Sequence, residues 1–162
     1  MYQISLETAN DWWEVEALYD TAFGLGRTAL SSYRLRDDVD PVASLSFVAR
    51  DSLDILSGCI RYWPVWIGDA KSLLLGPIAV HPTRQGEGLG GQLMAHSLEK
   101  ARRDGWERVL LVGDEAYYKR FGFRRMEGVE MPPPTNPDRV LGQSLVAGAF
   151  SGVSGLVRPF RP

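Results

Sequence analysis

A chain of 162 residues, 44% hydrophobic and 23% charged, carries enough apolar side chains for one substantial core without disulfides or a structural metal. The formal charge of −2, with basic residues scattered along the chain, argues against a nucleic-acid or anionic-membrane binder, which needs a concentrated basic surface. The single cysteine, Cys59, excludes an internal disulfide, and inside an apolar strand pattern it reads as a buried, inert thiol. Residues Met1 to Glu7 lack a basic leader, and no apolar run approaches the ~18 residues of a membrane span. A cytoplasmic location is therefore expected.

Tyr2, Ile4 and Leu6 alternate with polar residues and predict a first strand. Thr8 and Asp11 form a capping box ahead of a helix whose apolar positions are Trp12, Val15, Tyr19 and Phe23 and whose stop is Gly24 and Gly26. A second short helix is expected over Arg27 to Arg36, followed by a charged loop to Pro41. Three strands then form a meander: Leu45 to Ala49, Ile55 to Ile67 and Leu73 to Val80. Pro64 and Pro77 mark bulges or lapses in pairing. A helix from Gly88 to Arg103 follows, with Arg102 and Arg103 complementing its C-terminal dipole and Gly105 ending it. The continuous apolar run Val109 to Val112 predicts a strand buried on both faces. Glu115 to Phe121 reads as a short helix, with a strand from Phe123. The proline-rich Met131 to Pro137 is a loop, Val140 to Phe150 is the last strand, and the tail to Pro162 is weakly specified. No internal repeat or linker is visible, so one domain over 1–162 with a mixed sheet of the α/β class is expected.

The most informative stretch joins the strand ending at Val80 to the helix after it. Gly86, Gly88, Gly90 and Gly91 crowd into six positions, a density that costs backbone entropy unless close approach or positive φ is needed. Successive amides without Cβ atoms, at a helix N-terminus carrying about half a positive charge, make a phosphate cradle. A flexible glycine turn with no ligand is the plain alternative. Gly86-x-Gly88-x-x-Gly91 also matches the dinucleotide fingerprint, with Asp114 following the next strand as a ribose-binding acid. Five residues between Val80 and Gly86 and the preceding meander disagree with that context, and no Gly-Lys-Ser/Thr exists for a P-loop.

Gln85-Gly86-Glu87-Gly88-Leu89-Gly90 resembles the Gln/Arg-x-x-Gly-x-Gly/Ala signature of the GNAT superfamily of acyl-CoA-dependent N-acetyltransferases. Leu75 to Pro82 is similar to that family's fourth strand. Tyr118-Lys119-Arg120-Phe121-Gly122-Phe123 is similar to its Tyr-x-x-x-Gly-Phe element, and Val112 to Tyr118 is worded like a subgroup of predicted bacterial N-acetyltransferases. The resemblance implies a central mixed sheet of about seven strands flanked by about four helices, with the fourth and fifth strands splayed. It implies that backbone groups of Ile78, Ala79 and Val80 hold the pantetheine arm of acetyl-CoA, with Val80 N–H a donor to the thioester carbonyl. Amides of Gln85, Gly86, Gly88, Leu89, Gly90 and Gly91 bind the diphosphate, and Tyr118 is the general acid, with Tyr117 the competing candidate. The acceptor is an amine of a small molecule or protein, attacked directly in a ternary complex; no metal, nucleic acid or membrane takes part, and a homodimer is left open. A non-catalytic CoA-binding sensor would share the glycine loop.

The general base is not legible. Leu73, Leu74 and Leu75 stand where many members carry a glutamate, and Asp114, Glu115 or water remain as alternatives. His81 is expected in a turn and His96 on a helix face. Trp63 and Trp66 are equally pocket walls or core residues, Trp12 and Trp13 are expected to pack, and Arg27, Arg34 and Arg36 read as solvated arginines more readily than as an anion site.

Overall fold

The computed structural model describes residues 1–161. Thr8 N–H and Oγ1 both donate to Asp11 Oδ2, at 2.8 and 3.0 Å, closing the expected capping box on a 3-10 turn that feeds helix α1 (Trp12–Phe23). The segment expected as a second helix is instead two 3-10 turns, Arg27–Ala29 and Ser31–Arg36. Leu30 between them is extended, with ψ 144°, and that breaks any i to i−4 ladder.

Strands β1 (Gln3–Leu6), β2 (Phe47–Arg50), β3 (Leu56–Ile67) and β4 (Ala70–Val80) are antiparallel neighbours in that order. Beyond β4 lies β5 (Arg108–Val112), parallel to it, then β8 (Val140–Ser144) and β6 (Arg124–Arg125), both joined antiparallel. A largely antiparallel sheet of this kind is not the doubly wound parallel domain a dinucleotide fold requires. Helix α2 (Leu89–Arg103) connects β4 to β5, and α3 (Glu115–Tyr118) follows β5.

Nine strands and three α-helices stand among the described residues, against about seven and four expected. The extra strands are β7 (Val129–Glu130) and β9 (Gly155–Pro159). β3 outruns β2, and β9 fills the vacant length by pairing Val157 to Pro159 with Ile67 to Val65. The expected last strand to Phe150 stops at Ser144, because its partner β5 begins opposite it at Arg108. Among the described residues no helix is long and apolar enough to cross a membrane.

Alternation divides the core between the two faces of the sheet. Phe47, Ile60, Tyr62, Leu73, Val109 and Leu111 meet Leu89, Leu93, Met94 and Leu98 of α2. Leu74 and Leu110 point the other way, toward Leu35, Val129, Met131 and Val157, which explains the unbroken apolar run at β5. Val15, Leu18 and Tyr19 of α1 cover Val48, Cys59 and Ala79. Each such aliphatic side chain contributes roughly 1.5–3 kcal/mol. Cys59 is buried as expected, and burial pushes its thiol up to about 12. Trp12 and Trp13, expected to pack, are more than half exposed, because the buried face of α1 runs through Val15, Leu18 and Tyr19.

Buried arginines tie α1 to the sheet. Arg61 on β3 donates Nε and Nη2 to the two Glu7 oxygens (3.0 and 2.9 Å) and Nη1 to Glu16 (2.6 Å). Arg27 holds the other Glu16 oxygen and Asp20, each at 2.9 Å. Burial alone would raise the Glu16 carboxyl; hydrogen bonds from Arg27 and Arg61 outweigh it and hold the group below its ordinary 4.5. The unfolded chain therefore binds this proton before the folded one does, so the stabilisation is complete above about pH 4.5 and is lost as pH falls through the folded value. In denaturant titrations, stability should stay level from pH 7 to about 5 and fall below that. Arg61→Met should cost roughly 3 kcal/mol at pH 7 by stranding Glu7 and half of Glu16. Wild-type stability in that variant would remove the pair from the account.

Candidate active site

β4 divides its edges unequally. It pairs with β3 from Ala70 to Val80, but with β5 only through Leu73↔Val109 and Leu74↔Leu110. β5 continues beside β8 to Val112, so the sheet opens into a V after Leu74. The register of β3 and β4 shifts between Ile60 and Tyr62, opposite Gly76 and Pro77. The carbonyls of this bulge take side-chain donors, Trp63 Nε1 on Gly76 O (2.7 Å) and Tyr19 Oη on Pro77 O (2.9 Å). Pro64, by contrast, keeps its register with Leu73.

His81 N–H donates to Ser57 O at 2.8 Å. Strand alternation then turns the amide and carbonyl of Ala79 toward β3 and those of Ile78 and Val80 toward the open V. A cavity of about 170 Å³ occupies the V, lined on one side by Leu74 to Ile78 and on the other by Leu111, Val112 and Tyr118, with Tyr33 and Arg36 closing it.

A second cavity, of about 540 Å³, lies at the glycine loop between Val80, Arg84, Gln85, Gly86, Gly88 to Gly91, Tyr117 and Arg120. Gly86 and Gly88 have φ of 85° and 80°, conformations that L side chains avoid, and nothing lies within 4 Å of where their Cβ atoms would be. The first helical bond of α2 runs from Gln92 N to Gly88 O (3.1 Å), which leaves the amides of Leu89, Gly90 and Gly91 without helical partners. Gln85 Nε2 approaches Val80 O at 3.4 Å. Two ties engage neighbouring charges, that of the lining residue Arg84 among them. Tyr2 Oη holds Glu87 at 2.7 Å, and Asp51 takes Arg84 at 2.6 Å. Arg120, stacked on Tyr117 at 4.6 Å, is the lining cation outside an ion pair among the described residues.

Tyr117 and Tyr118 meet edge to face at 4.9 Å but serve different cavities. Tyr117 is 42% exposed and its hydroxyl faces Gly90. Tyr118 lines the V, and burial, seconded by Tyr117, pushes its phenol above the ordinary 10.0 despite Arg139. Among the described residues no carboxylate or histidine lines the central cavity. Asp114 instead caps α3 by accepting from Ala116 N (3.2 Å), and Glu115 accepts from Arg125 N (2.7 Å). His81 caps the Pro82–Arg84 turn and His96 packs on Phe47, both as expected. Trp66 stacks on Phe160 at 4.8 Å, whereas Trp63 both packs in the core and lines a third cavity of about 300 Å³ beside α1. Arg34 is exposed and reaches Pro133 O (2.9 Å), and Arg27 is buried in its ion pairs. Arg36 is not solvated as expected: its Nε and Nη1 are buried. The aromatic three residues before it, Tyr33, was the only local signal. Among the described residues no group of three or more His, Cys, Asp or Glu is placed to hold a metal ion.

The family model described as acetyltransferase (GNAT) domain matches residues 43–125. The chain is 29% identical over 147 residues to the Escherichia coli K12 uncharacterized N-acetyltransferase YhbS, covering 88% of this chain and 87% of the relative. It is 32% identical over 132 residues to the uncharacterized N-acetyltransferase YjhQ of the same organism, covering 80% and 71%. The crystal structure of Escherichia coli YhbS in complex with CoA superposes with a TM-score of 0.85 at 27% identity, covering 98% of this chain and 89% of that one. A GNAT family acetyltransferase from Brucella melitensis in complex with acetyl-CoA gives 0.64 at 29% identity, covering 93% and 99%.

A Cβ at Gly113 would lie 2.5 Å from Tyr118 Cε2, so the phenol ring sits where it does only because that residue is glycine. Gly113→Ala should destabilise the chain by about 1–3 kcal/mol and change its near-ultraviolet circular dichroism as the ring is displaced. An unchanged spectrum would show that this contact does not seat Tyr118.

Proposed function

The chain belongs to the GNAT acetyltransferase family and is an acyl-CoA-dependent N-acetyltransferase; from that premise we propose how its residues divide the work. The carrying observation is the V between β4 and β5 with the unpartnered α2 amides at one end of it. The loop fits the donor. It offers orphan N–H groups, a helix N-terminus, open space at Gly86 and Gly88, and Arg120.

Acetyl-CoA supplies the activated thioester. Gln85, Gly86 and Gly88 to Gly91 hold its diphosphate by their backbone, and Val80 pairs with the pantetheine arm. Ala79 lends that arm no hydrogen bond, since its groups are turned to β3. Ile78, which shares the central cavity with Tyr118, donates its N–H to the thioester carbonyl; Val80, which lines the outer cavity, does not. As the acceptor nitrogen forms its bond to the acetyl carbon and the C–S bond breaks, Tyr118 gives its proton to the leaving sulfur. A phenol raised above 10.0 stays protonated until that moment. The proton shed by the amine leaves through water and restores the phenol, a route consistent with a cavity whose described lining has no carboxylate. The proposal takes residues 1–162 as one GNAT-like domain, a cytoplasmic location, and an amine acceptor from a small molecule or protein.

Calorimetry should detect acetyl-CoA binding, and Gly90→Leu should weaken it at least tenfold with the fold intact, because a long side chain there enters the outer cavity. Tyr118→Phe should lower kcat by roughly 10²-fold while the Kd for acetyl-CoA stays near normal. Undiminished kcat in that variant would remove Tyr118 from proton transfer.

A further inference from the structure

We propose that Arg36 receives a carboxylate of the acyl acceptor, so that the acceptor is a short amino carboxylate and not a simple amine; this rests on the acetyl-transfer reading above. Arg36 ends the Ser31–Arg36 turn with its guanidinium over the Tyr33 ring at 4.1 Å and 5.6 Å from that of Trp63. Its Nη2 lies 3.3 Å from where a Cβ of Gly76 would be. The rings fix the plane of the cation but leave two of its nitrogens unsatisfied. Nε and Nη1 are both buried without a hydrogen-bond partner. A buried donor without a partner is costly, and more so when it is charged.

No carboxylate among the described residues answers this cation. Glu16 is shared between Arg27 and Arg61, Asp20 is taken by Arg27, and Asp37 is exposed and forms no ion pair. Burial accordingly pushes the Arg36 guanidinium down in pKa, against the opposing effect of Tyr33. An arginine so placed is a ready partner for a planar anion, and a carboxylate presents the acceptor oxygens its free N–H groups lack.

Position supplies the rest. Arg36, Tyr33 and Pro77 form a wall common to the central cavity and to the cavity of about 300 Å³ beside α1, which shares no residue with the glycine loop. An acceptor arriving through that cavity meets Arg36 on its way to Ile78 and Tyr118, opposite the donor. Gly76 and Ile78 are about 7 Å apart along the strand. A hydrogen bond of about 2.9 Å from the guanidinium covers part of that distance. The two bonds of about 1.5 Å between the nitrogen and carboxyl carbon of an α-amino acid cover most of the remainder. A lysine side chain on a folded protein carries no carboxylate at that separation.

The test compares the L-amino acids with their decarboxylated amines as matched acceptors, reading thiol release from acetyl-CoA. Wild-type protein should prefer the carboxylate member at least tenfold in kcat/KM, the effect of one charge-assisted hydrogen bond. Arg36→Met should abolish that preference, mainly through KM for the amino acid, leave the Kd for acetyl-CoA unchanged, and be partly rescued in Arg36→Lys. Equal or better use of the decarboxylated amines by the wild type would overturn the inference, and that comparison stands even if the variants fail to fold. Should acetyl-CoA bind but neither member react, calorimetric titration of both into the CoA-loaded protein decides. Binding of the carboxylate member alone supports the inference, and equal or absent binding sinks it while sparing the donor site. Failure to bind acetyl-CoA would instead sink the acetyl-transfer reading, and this inference with it.

Discussion

Backbone hydrogen bonding along β4 is distributed unevenly, and the functional geometry hangs on that distribution. A strand inside a sheet ordinarily satisfies both edges, since a buried amide or carbonyl without a partner is costly. β4 satisfies one edge with β3 and gives the other to β5 at only two positions. Pro77 has no N–H to offer a ladder, and the bulge beside it throws the following residues out of register with those before it. Tyr19 and Trp63 take up the bulge carbonyls from α1 and β3. The same side chains that build the core therefore hold the V open. The groups of Ile78 and the N–H of Val80 that point into it are a sheet edge awaiting a pairing partner, which is what an extended amide-bearing arm provides.

Charge follows the same division. On the α1 side, Arg27 and Arg61 are fully paired, so they stiffen the junction between helix and sheet without offering charge to a ligand. Arg36, which shares the Tyr33 ring with Arg27, is held by aromatic side chains and by no carboxylate among the described residues. On the loop side, Asp51 pairs with Arg84 and Tyr2 holds Glu87, leaving the helix N-terminus and Arg120 as the positive charge outside an ion pair over the glycines. The two ends of the V thus present donors to two different anions.

The donor half was legible in the sequence because its constraints are local. Positive φ at Gly86 and Gly88 demands glycine whatever surrounds it, and β4, α2 and β5 have strong apolar periods. The rest depended on distant partners. β9 lies in a Gly, Ser and Pro-containing tail with no alternation, and is a strand only because β3 extends past β2. The Arg27 to Arg36 segment has helix-like content but breaks at Leu30. The assignment of Tyr117 and Tyr118 to separate cavities follows from Gly113, whose missing Cβ admits one ring. Arg36 sits in a run of charges, Arg34 to Asp38, that reads as solvated; its burial between Tyr33, Trp63 and Gly76 is a tertiary fact.

The most direct test of the split-strand account is a crystal structure of this chain with acetyl-CoA. The arm should lie antiparallel or parallel along the free edge of β4, with Ile78 N–H on the thioester carbonyl, the sulfur beside Tyr118 Oη and the diphosphate on the amides of Leu89 to Gly91. A structure in which β4 and β5 zip together past Leu74, or in which acetyl-CoA binds away from that edge, would contradict it.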